Sequence, residues 1–310
     1  MTELSVVIPV YNAEPCLATL QARLTRSLRA MKLRYEIILV DDRSTDDSWS
    51  VIRELAKQEP AVKALRLSRN FGQHAAITAG LQLSEGNWVV VMDCDLQDPP
   101  EDIPRLYARA LEGFDIVLAR RKRRRHPFLR RIAANIYFRT LGIFNRMSFD
   151  HEYGAFSIVS RKVVKAFLTV NDTARHYLLL LYWLGFATAS IEYEHGDRVA
   201  GRSAYSISRL VTHAFEGFFF QTTVLLKWII YTGFTLACAG FSFALYIVAQ
   251  YFAHSLLPGW TSLAVLILVV GGFTITSVGV AGLYIGKIFE QVKGRPLFVV
   301  SDRIVNGDEL

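Results

Sequence analysis

Short apolar runs alternate with amphipathic segments along the first 120 residues. Runs such as LSVVIPVY, YEIILVDD and NWVVVMDCD are continuous and rich in Val and Ile, as in strands that are buried on both faces of a sheet. Intervening segments such as PCLATLQARLTRSLRAMK place apolar residues at helical spacing. The alternation predicts an α/β fold with a doubly wound, mainly parallel sheet. Ligands of such sheets bind beyond the carboxyl ends of the strands.

Two segments near the C-terminus, Trp228–Phe252 and Thr261–Ile285, contain no Asp, Glu, Lys or Arg. Each has 25 residues, which is about 38 Å of helix and enough to cross roughly 30 Å of hydrocarbon. The alternative, two buried core helices, is disfavoured by this length. We therefore predict a transmembrane helical hairpin over 228–285. An interfacial helix over 207–227 precedes it, and a tail over 286–310 follows.

Basic residues flank this predicted hairpin. Lys227 precedes it, Lys287, Lys293 and Arg295 follow its apolar part, and the turn AHSLLPGW has no Lys or Arg. The positive-inside rule then places both termini in the cytoplasm. The N-terminus shows no signal-peptide pattern. The three cysteines are scattered, which predicts neither a metal motif nor a disulfide framework.

The fourth predicted strand ends in an acidic stretch, VMDCDLQD. No GxGxxG and no GxxxxGK[ST] motif is present, which disfavours a dinucleotide oxidoreductase and a P-loop enzyme. Asp93 and Asp95 are two residues apart on this predicted strand, so their side chains point to the same side. Carboxylates suit Mg²⁺ or Mn²⁺, which also takes phosphate oxygens. We predict such a metal here; a solvated loop is the alternative.

Four stretches resemble the family-2 glycosyltransferases: SVVIPVYNAE, EIILVDDRSTDDS, RNFGQHAAITAGL and VMDCDLQDPPE. Within that family the chain is most similar to the polyprenyl-phosphate glycosyltransferases of the dolichyl-phosphate mannose synthase type, in the two-transmembrane-helix form typical of bacterial members. The resemblance implies a GT-A-like cytoplasmic domain over 1–206. It also implies transfer of one sugar from a nucleotide-diphosphate sugar to a polyprenyl phosphate, such as undecaprenyl phosphate, at the bacterial inner membrane. The product would be a lipid-linked sugar donor for cell-envelope glycans.

The same resemblance assigns roles to individual residues. Asp93, Asp95 and Gln97 match the ligands of Mg²⁺ or Mn²⁺, and Asp95 is also assigned to catalysis. For Asn12, Asp41 and Asp42, turn and helix capping is the alternative role. The residues that match the nucleotide-sugar site are Pro9, Tyr11, Asn12, Glu14, Asp41, Asp42, Arg69, Asn70, Asp93, Arg202 and Ser203.

A strongly basic segment follows the fifth predicted strand. Residues 120–131 hold eight Lys or Arg, and the amphipathic stretch FLRRIAANIYFRTLGIFN overlaps their end. No stacking aromatics are interleaved with the basic residues, so we expect no nucleic-acid partner. The pattern is typical of a helix in the headgroup layer, where anionic lipid attracts the cations. We interpret 120–146 as the segment that faces the lipid bilayer.

The acceptor is expected to be a phosphate held by arginines. A phosphate monoester has a second pKa of about 6, so it is largely ionised at neutral pH. It can therefore attack without losing a proton to a general base. Arg120, Arg130 and Arg131 are the candidate lipid-phosphate ligands. Arg120 is favoured, and is also assigned to catalysis, because it directly follows the predicted strand FDIVLA. Glu152 is the fallback base. Many family members carry Asp where this chain has Ala155, and a mechanism without a base tolerates that change. We expect single displacement with inversion, and a homo-oligomer.

Two other functions remain open from the sequence. A processive polysaccharide synthase of the same superfamily normally carries Gln-x-x-Arg-Trp, which is absent here. A non-catalytic membrane assembly protein with a transferase-like domain has no need of Asp93, Asp95 and Gln97, and all three are present.

Overall fold

A computed structural model describes residues 2–122, 153–172, 175–194, 196 and 260–309, with scattered helical positions between 229 and 242. Most of the basic segment 120–146, the predicted interfacial helix 207–227 and most of the first apolar run lie outside the described residues.

Nine strands and seven α-helices make up the described elements, with a short 3₁₀-helix at Pro100–Asp102. The strands are β1 (Leu4–Val10), β2 (Tyr35–Asp41), β3 (Val62–Leu67), β4 (Trp88–Val91), β5 (Ile116–Arg121), β6 (Tyr153–Ser160), β7 (Thr188–Tyr193), β8 (Val300–Val305) and β9 (Asp308–Glu309). The helices are α1 (Glu14–Ala30), α2 (Ser48–Gln58), α3 (Gln73–Leu83), α4 (Ile103–Ala110), α5 (Arg161–Thr169), α6 (Tyr177–Leu184) and α7 (Trp260–Val292).

The strands form one mixed sheet in the order β7-β5-β6-β4-β1-β2-β3-β8-β9. Strands β1 to β4 are parallel where they pair with one another, and β5 is parallel to β7. Strand β6 enters between β4 and β5 and runs antiparallel to both. Seven of the nine strands therefore run in one direction, as predicted, and β6 and β8 run against them, so the sheet is mixed. The sequence did not predict the two antiparallel strands. An apolar run shows that a strand is buried, but its direction depends on a partner that is distant in sequence.

Two apolar clusters cover the two faces of the sheet. One contains residues of α1, α2 and α4, and the other contains residues of α3, α5 and α6. The strands serve both because their side chains alternate: Val6 and Ile8 belong to the first cluster, and Val7 to the second. Helix α3 packs closely, since a Cβ at Gly80 would lie 2.3 Å from Val7 Cγ1. This contact explains why position 80 is a glycine.

The C-terminal residues return to the sheet. Strand β8 pairs antiparallel with β3, and Ile304 is fully buried in the first apolar cluster. Sequence patterns indicated only a tail over 286–310, because six residues of mixed polarity carry no clear strand signal. The described parts of residues 1–139, 147–203 and 295–310 form one compact unit.

The second predicted transmembrane segment lies in α7, which has 33 residues and belongs to a second compact unit. Within it, Val270–Phe289 has a mean hydropathy of 1.3, and this stretch is long and apolar enough to cross a membrane. It is the one such helix among the described residues. Most of the first apolar run lies outside the described residues, so the two-helix hairpin stays a prediction.

Candidate functional site

The turns after β1 and β2 are fixed to each other by the side chain of Asn12. Its Oδ1 accepts hydrogen bonds from the backbone N–H of Thr45 at 2.8 Å and from the Thr45 hydroxyl at 3.2 Å. The backbone N–H of Asn12 donates to Ser44 Oγ at 3.0 Å. Asn12 has a φ of 52°, a left-handed conformation that asparagine tolerates better than most residues. Asn12 thus has a structural role here, and its contact with a nucleotide stays a prediction.

Asp42 holds the loop that follows β3. Its two carboxylate oxygens accept the backbone N–H groups of Phe71 at 2.7 Å and Gly72 at 2.8 Å. Gly72 has a φ of 95°, which favours glycine. Burial raises the pKa of Asp42, and the two N–H donors and Arg69 only partly oppose this shift. The carboxylate therefore fixes the loop next to Arg69 and Asn70.

Asp41 lies beneath the turn and is fully buried. One of its oxygens accepts the Ser44 N–H at 3.0 Å. The other forms an ion pair with Arg66 Nε at 3.2 Å, although the two groups are not aligned as a hydrogen bond. The Arg66 guanidinium also lies 5.5 Å from the centre of the Trp49 ring. A direct contact between Asp41 and a nucleotide requires this turn to open.

The remaining described residues predicted for the nucleotide site surround these turns. Pro9 is buried in β1, whereas Tyr11, Glu14, Arg69 and Asn70 are exposed. The Glu14 N–H donates to Asp46 Oδ2 at 3.3 Å. The structure therefore gathers the predicted residues of β1, β2 and the loop after β3 at one edge of the sheet.

The acidic stretch forms a loop, because β4 ends at Val91. The strand alternation expected for Asp93 and Asp95 therefore does not apply. Asp93 Oδ1 accepts a hydrogen bond from Gln73 Nε2 of α3 at 2.6 Å. Asp95 Oδ1 accepts the Gln97 N–H at 3.1 Å. We call residues 93–98 the acidic loop.

Cys94, between the two aspartates, is a neutral thiol at physiological pH. Burial, together with the charges of Asp93 and Asp95, raises its pKa to about 12. Only a thiolate is an effective sulfur nucleophile, so the chemistry of this loop is that of its oxygen donors.

A buried polar cluster that the sequence did not predict lies against the acidic loop. The Tyr193 hydroxyl donates to Asp98 Oδ1 at 2.6 Å, and Arg121 Nε donates to the Tyr193 oxygen at 3.2 Å. Burial raises the pKa of Asp98, and the hydrogen bond from Tyr193 and the charge of Arg121 oppose that shift. Burial lowers the pKa of Arg121, but Tyr193, Asp98 and Asp93 outweigh this effect and raise it.

Arg120 and Arg121 occupy opposite faces of β5, because side chains alternate along a strand. Arg120 lies opposite Tyr153 of β6 and Glu192 of β7. The prediction singled out Arg120, and Arg121 is the one that contacts the cluster around Asp98. Strand alternation predicts from sequence that the two arginines lie on opposite faces of β5. It does not show which face lies against the acidic loop. The predicted residues Arg130, Arg131, Glu152, Arg202 and Ser203 lie outside the described residues.

The acidic loop supplies a partial set of ligands for a divalent metal. Two carboxylates and the Gln97 side-chain amide are hard oxygen donors, which suit Mg²⁺ or Mn²⁺. Within the described chain, no group of three or more His, Cys, Asp or Glu is placed to hold a metal ion. Such ions commonly use one or two carboxylates and complete their shell with water and substrate phosphates. The residues present fit a metal of this kind.

A mixed sheet with helices on both faces and polar loops at the carboxyl ends of its parallel strands is typical of a GT-A-like glycosyltransferase fold. The mannosyl-3-phosphoglycerate synthase of Rubrobacter xylanophilus shares it, with a TM-score of 0.51 and 18% identity over 69% of this chain and 72% of that chain. Residues 5–168 match the family model described as Glycosyl transferase family 2. The chain belongs to this family and is a glycosyltransferase.

Relatives similar over nearly their full length support the same assignment. The chain is 34% identical to an uncharacterized glycosyltransferase of Synechocystis, sll0501, over 97% of this chain and 95% of the relative. It is 35% identical to the undecaprenyl-phosphate 4-deoxy-4-formamido-L-arabinose transferase of Pseudomonas paraeruginosa, over 97% and 90% respectively. The expected similarity to polyprenyl-phosphate glycosyltransferases is confirmed.

Proposed function

We propose that the protein transfers one sugar from a nucleotide-diphosphate sugar to a membrane polyprenyl phosphate, such as undecaprenyl phosphate. The observation that carries this proposal is the position of the acidic loop. It follows β4, next to the loops after β1, β2 and β3 that carry the predicted nucleotide ligands. Similarity to named undecaprenyl-phosphate transferases over nearly the whole chain supports the choice of acceptor. The product is a lipid-linked sugar for cell-envelope glycans.

Asp93, Asp95 and Gln97 would hold Mg²⁺ or Mn²⁺. The bound metal supplies positive charge that stabilises a leaving diphosphate. Gln73 holds one Asp93 oxygen from the side of α3. The Gln97 N–H holds one Asp95 oxygen from within the loop. These protein donors orient the carboxylates.

The nucleotide is bound by the turns after β1, β2 and β3. Asn12 and Asp42 fix the backbone of these turns, so that the exposed side chains of Tyr11, Arg69 and Asn70 face the ligand from fixed positions. Arg202 and Ser203 contribute from the chain after β7. Because these loops are already ordered, binding costs less conformational entropy. This favours a tightly positioned donor sugar.

The acceptor phosphate attacks C1 of the sugar directly, with inversion. It is largely ionised at neutral pH, so cations that hold it matter more than a base that deprotonates it. Arg120, Arg130 and Arg131 are the proposed lipid-phosphate ligands. Glu152 is the fallback base.

We further propose that the catalytic domain lies on the cytoplasmic side of a bacterial inner membrane. The hairpin over 228–285 anchors it, both termini are cytoplasmic, and the segments 120–146 and 207–227 contact the bilayer. Helix α7 supports the second half of this hairpin by its length and composition. The functional particle is a homo-oligomer.

The direct test is to incubate membranes that contain the full-length chain with a panel of radiolabelled nucleotide sugars and undecaprenyl phosphate, then extract the lipids. We expect label from one donor in an acid-labile lipid fraction, and none with the Asp95→Asn variant. Label that enters polymer but never lipid monosaccharide would contradict the proposal.

The phosphate-nucleophile mechanism has its own test. Arg120→Ala should raise the KM for polyprenyl phosphate about tenfold, as expected for loss of one charge-assisted hydrogen bond, with little change in the KM for the nucleotide sugar. Arg109→Ala is the matched control, because Arg109 pairs with Glu112 on the exposed side of α4. Glu152→Gln should reduce kcat far less than Asp95→Asn. An inactive Glu152→Gln beside a fully active Arg120→Ala would show that a base is required.

A further inference from the structure

Asp98, Tyr193 and Arg121 come from three different elements and meet in the interior. Asp98 and Tyr193 each have an exposed fraction of 1%. The tyrosine hydroxyl bridges the other two groups, since it donates to Asp98 Oδ1 and accepts from Arg121 Nε. None of the three belongs to the residues proposed to touch the metal, the nucleotide or the acceptor. We call them the Arg–Tyr–Asp cluster.

This cluster is joined to both ends of the acidic loop. Asp98 is the last residue of that loop, and its Oδ2 faces the Asp93 N–H at 3.4 Å. Beyond Tyr193, the Gly196 N–H donates to the Gln97 carbonyl oxygen at 2.9 Å. In between, Leu96 is buried with a φ of 63°. A leucine in this left-handed conformation needs surrounding contacts to hold it there.

The cluster also changes the charge balance of the loop. Asp93, Asp95 and Asp98 lie within six residues, and like charges at short range repel. The Arg121 guanidinium attracts both Asp98 and Asp93. Gly154 of β6 leaves the room that Arg121 needs, because a Cβ there would lie 2.9 Å from Arg121 Nη2. The charge of Arg121 thus offsets part of the repulsion among the three acids of this loop.

We propose that the Arg–Tyr–Asp cluster is a positioning unit that holds the acidic loop in the conformation that binds the divalent metal. This inference rests on the proposed function, since it takes Asp93 and Asp95 as metal ligands. The cluster residues act through the loop and do not touch the metal. Without the cluster, the loop loses this conformation, and metal binding weakens.

The distinguishing measurement is metal binding by the full-length protein. The probe is Mn²⁺ alone, and free Mn²⁺ is measured by electron paramagnetic resonance. Tyr193→Phe removes the bridging hydroxyl and little else. We expect its Kd for Mn²⁺ to rise about tenfold, as expected for one hydrogen bond to a charged group.

Tyr177→Phe is the matched control. Tyr177 is also a buried tyrosine, and its hydroxyl lies 3.0 Å from Ser157 Oγ in the apolar cluster on the other face of the sheet. Tyr177→Phe should lower the thermal midpoint about as much as Tyr193→Phe and leave Mn²⁺ binding unchanged. A role limited to core stability predicts equal Mn²⁺ binding by both variants, and that result would overturn the proposal.

Arg121 provides a second pair of variants. Arg121→Met removes the charge and should weaken Mn²⁺ binding at least as much as Tyr193→Phe, whereas Arg121→Lys keeps the charge and should recover part of it. Equal affinities for both variants would count against the proposal even if Tyr193→Phe fails to fold. A wild-type protein that binds no Mn²⁺ but still labels lipid would overturn this inference and leave the proposed transferase function standing.

Discussion

A buried ion cluster at the opposite edge of the sheet gives a quantitative test of the structure. Lys63 Nζ of β3 lies 2.6 Å from Glu36 Oε2 of β2 and 3.1 Å from Glu85 Oε1. The other oxygen of Glu36 accepts the Ser5 hydroxyl at 2.6 Å and the Glu85 N–H at 2.7 Å. Glu36 and Lys63 are 3% and 8% exposed. The cluster therefore lies at the amino ends of the parallel strands, away from the acidic loop.

Lys63→Met should destabilise the protein by about 3 kcal/mol, because it leaves the Glu36 carboxylate buried without its counter-ion. We take the lower end of the usual range, since water reaches the Lys63 side chain, which is 11% exposed. For a domain of this size the loss corresponds to a fall in the thermal midpoint of about 6–12 °C.

The assay is thermal unfolding of the full-length protein in detergent, followed by intrinsic fluorescence. Arg29→Met is the control, since its ion pair with Glu59 is exposed and such pairs contribute less than about 1 kcal/mol. Sugar transfer by the folded Lys63→Met protein should match the wild type. A midpoint within about 2 °C of the wild type would show that Lys63 does not compensate the buried charge of Glu36.

The pH dependence of this effect has a defined sign. Burial lowers the pKa of Lys63, but Glu36 and Glu85 outweigh it, so that the folded-state pKa lies above the ordinary value of 10.5. The stabilisation is then fully present below 10.5 and is lost as the pH rises through the folded-state pKa. The difference between wild type and Lys63→Met should stay constant from about pH 7 to about pH 9.

Three further predictions test the metal, the topology and the C-terminal strand. EDTA should abolish sugar transfer, and Mg²⁺ or Mn²⁺ should restore it. Asp95→Asn should lower kcat/KM at least about a hundredfold. Full turnover in EDTA would contradict the metal assignment. A cysteine placed at Ser255 should label from the periplasmic side and one at Asn306 only in opened membranes, whereas labelling of both from outside would exclude the hairpin. Ile304→Ala should destabilise the protein by about 2–4 kcal/mol, measured by the same thermal assay, because the side chain of Ile304 in β8 is fully buried in the first apolar cluster.

The elements of the first 120 residues follow from local pattern. A run of five to eight apolar residues rich in Val and Ile predicts a buried strand, as LSVVIPVY does for β1. A segment with one apolar face predicts a helix. One strand is shorter than predicted. Strand β4 ends at Val91, and the acidic loop begins within the segment NWVVVMDCD that was predicted as strand. Local pattern could not show this end, because a loop and a buried strand terminus carry the same polar residues.

The site was predictable to the level of its loops and not of its contacts. Asp93, Asp95 and Gln97 lie together because they are neighbours in sequence. Gln73 and Arg121 lie near them only because distant elements meet there. A single sequence carries no signal for contacts between distant elements. Sequence reasoning therefore favoured Arg120, which follows an apolar run, and missed Arg121.

The amino-acid sequence alone is enough to predict a family-2 glycosyltransferase domain followed by long apolar segments, and an acidic stretch after a buried strand. Both depend on local composition and on motifs of a few residues, which the backbone geometry of strands and turns converts directly into structure. Three features are visible only in the folded chain: β6 inserts antiparallel between β4 and β5, β8 returns to pair with β3, and Arg121 reaches Asp98 through Tyr193. These arrangements pair segments far apart in the chain, and their energies come from burial and hydrogen bonds that exist only after the chain has folded.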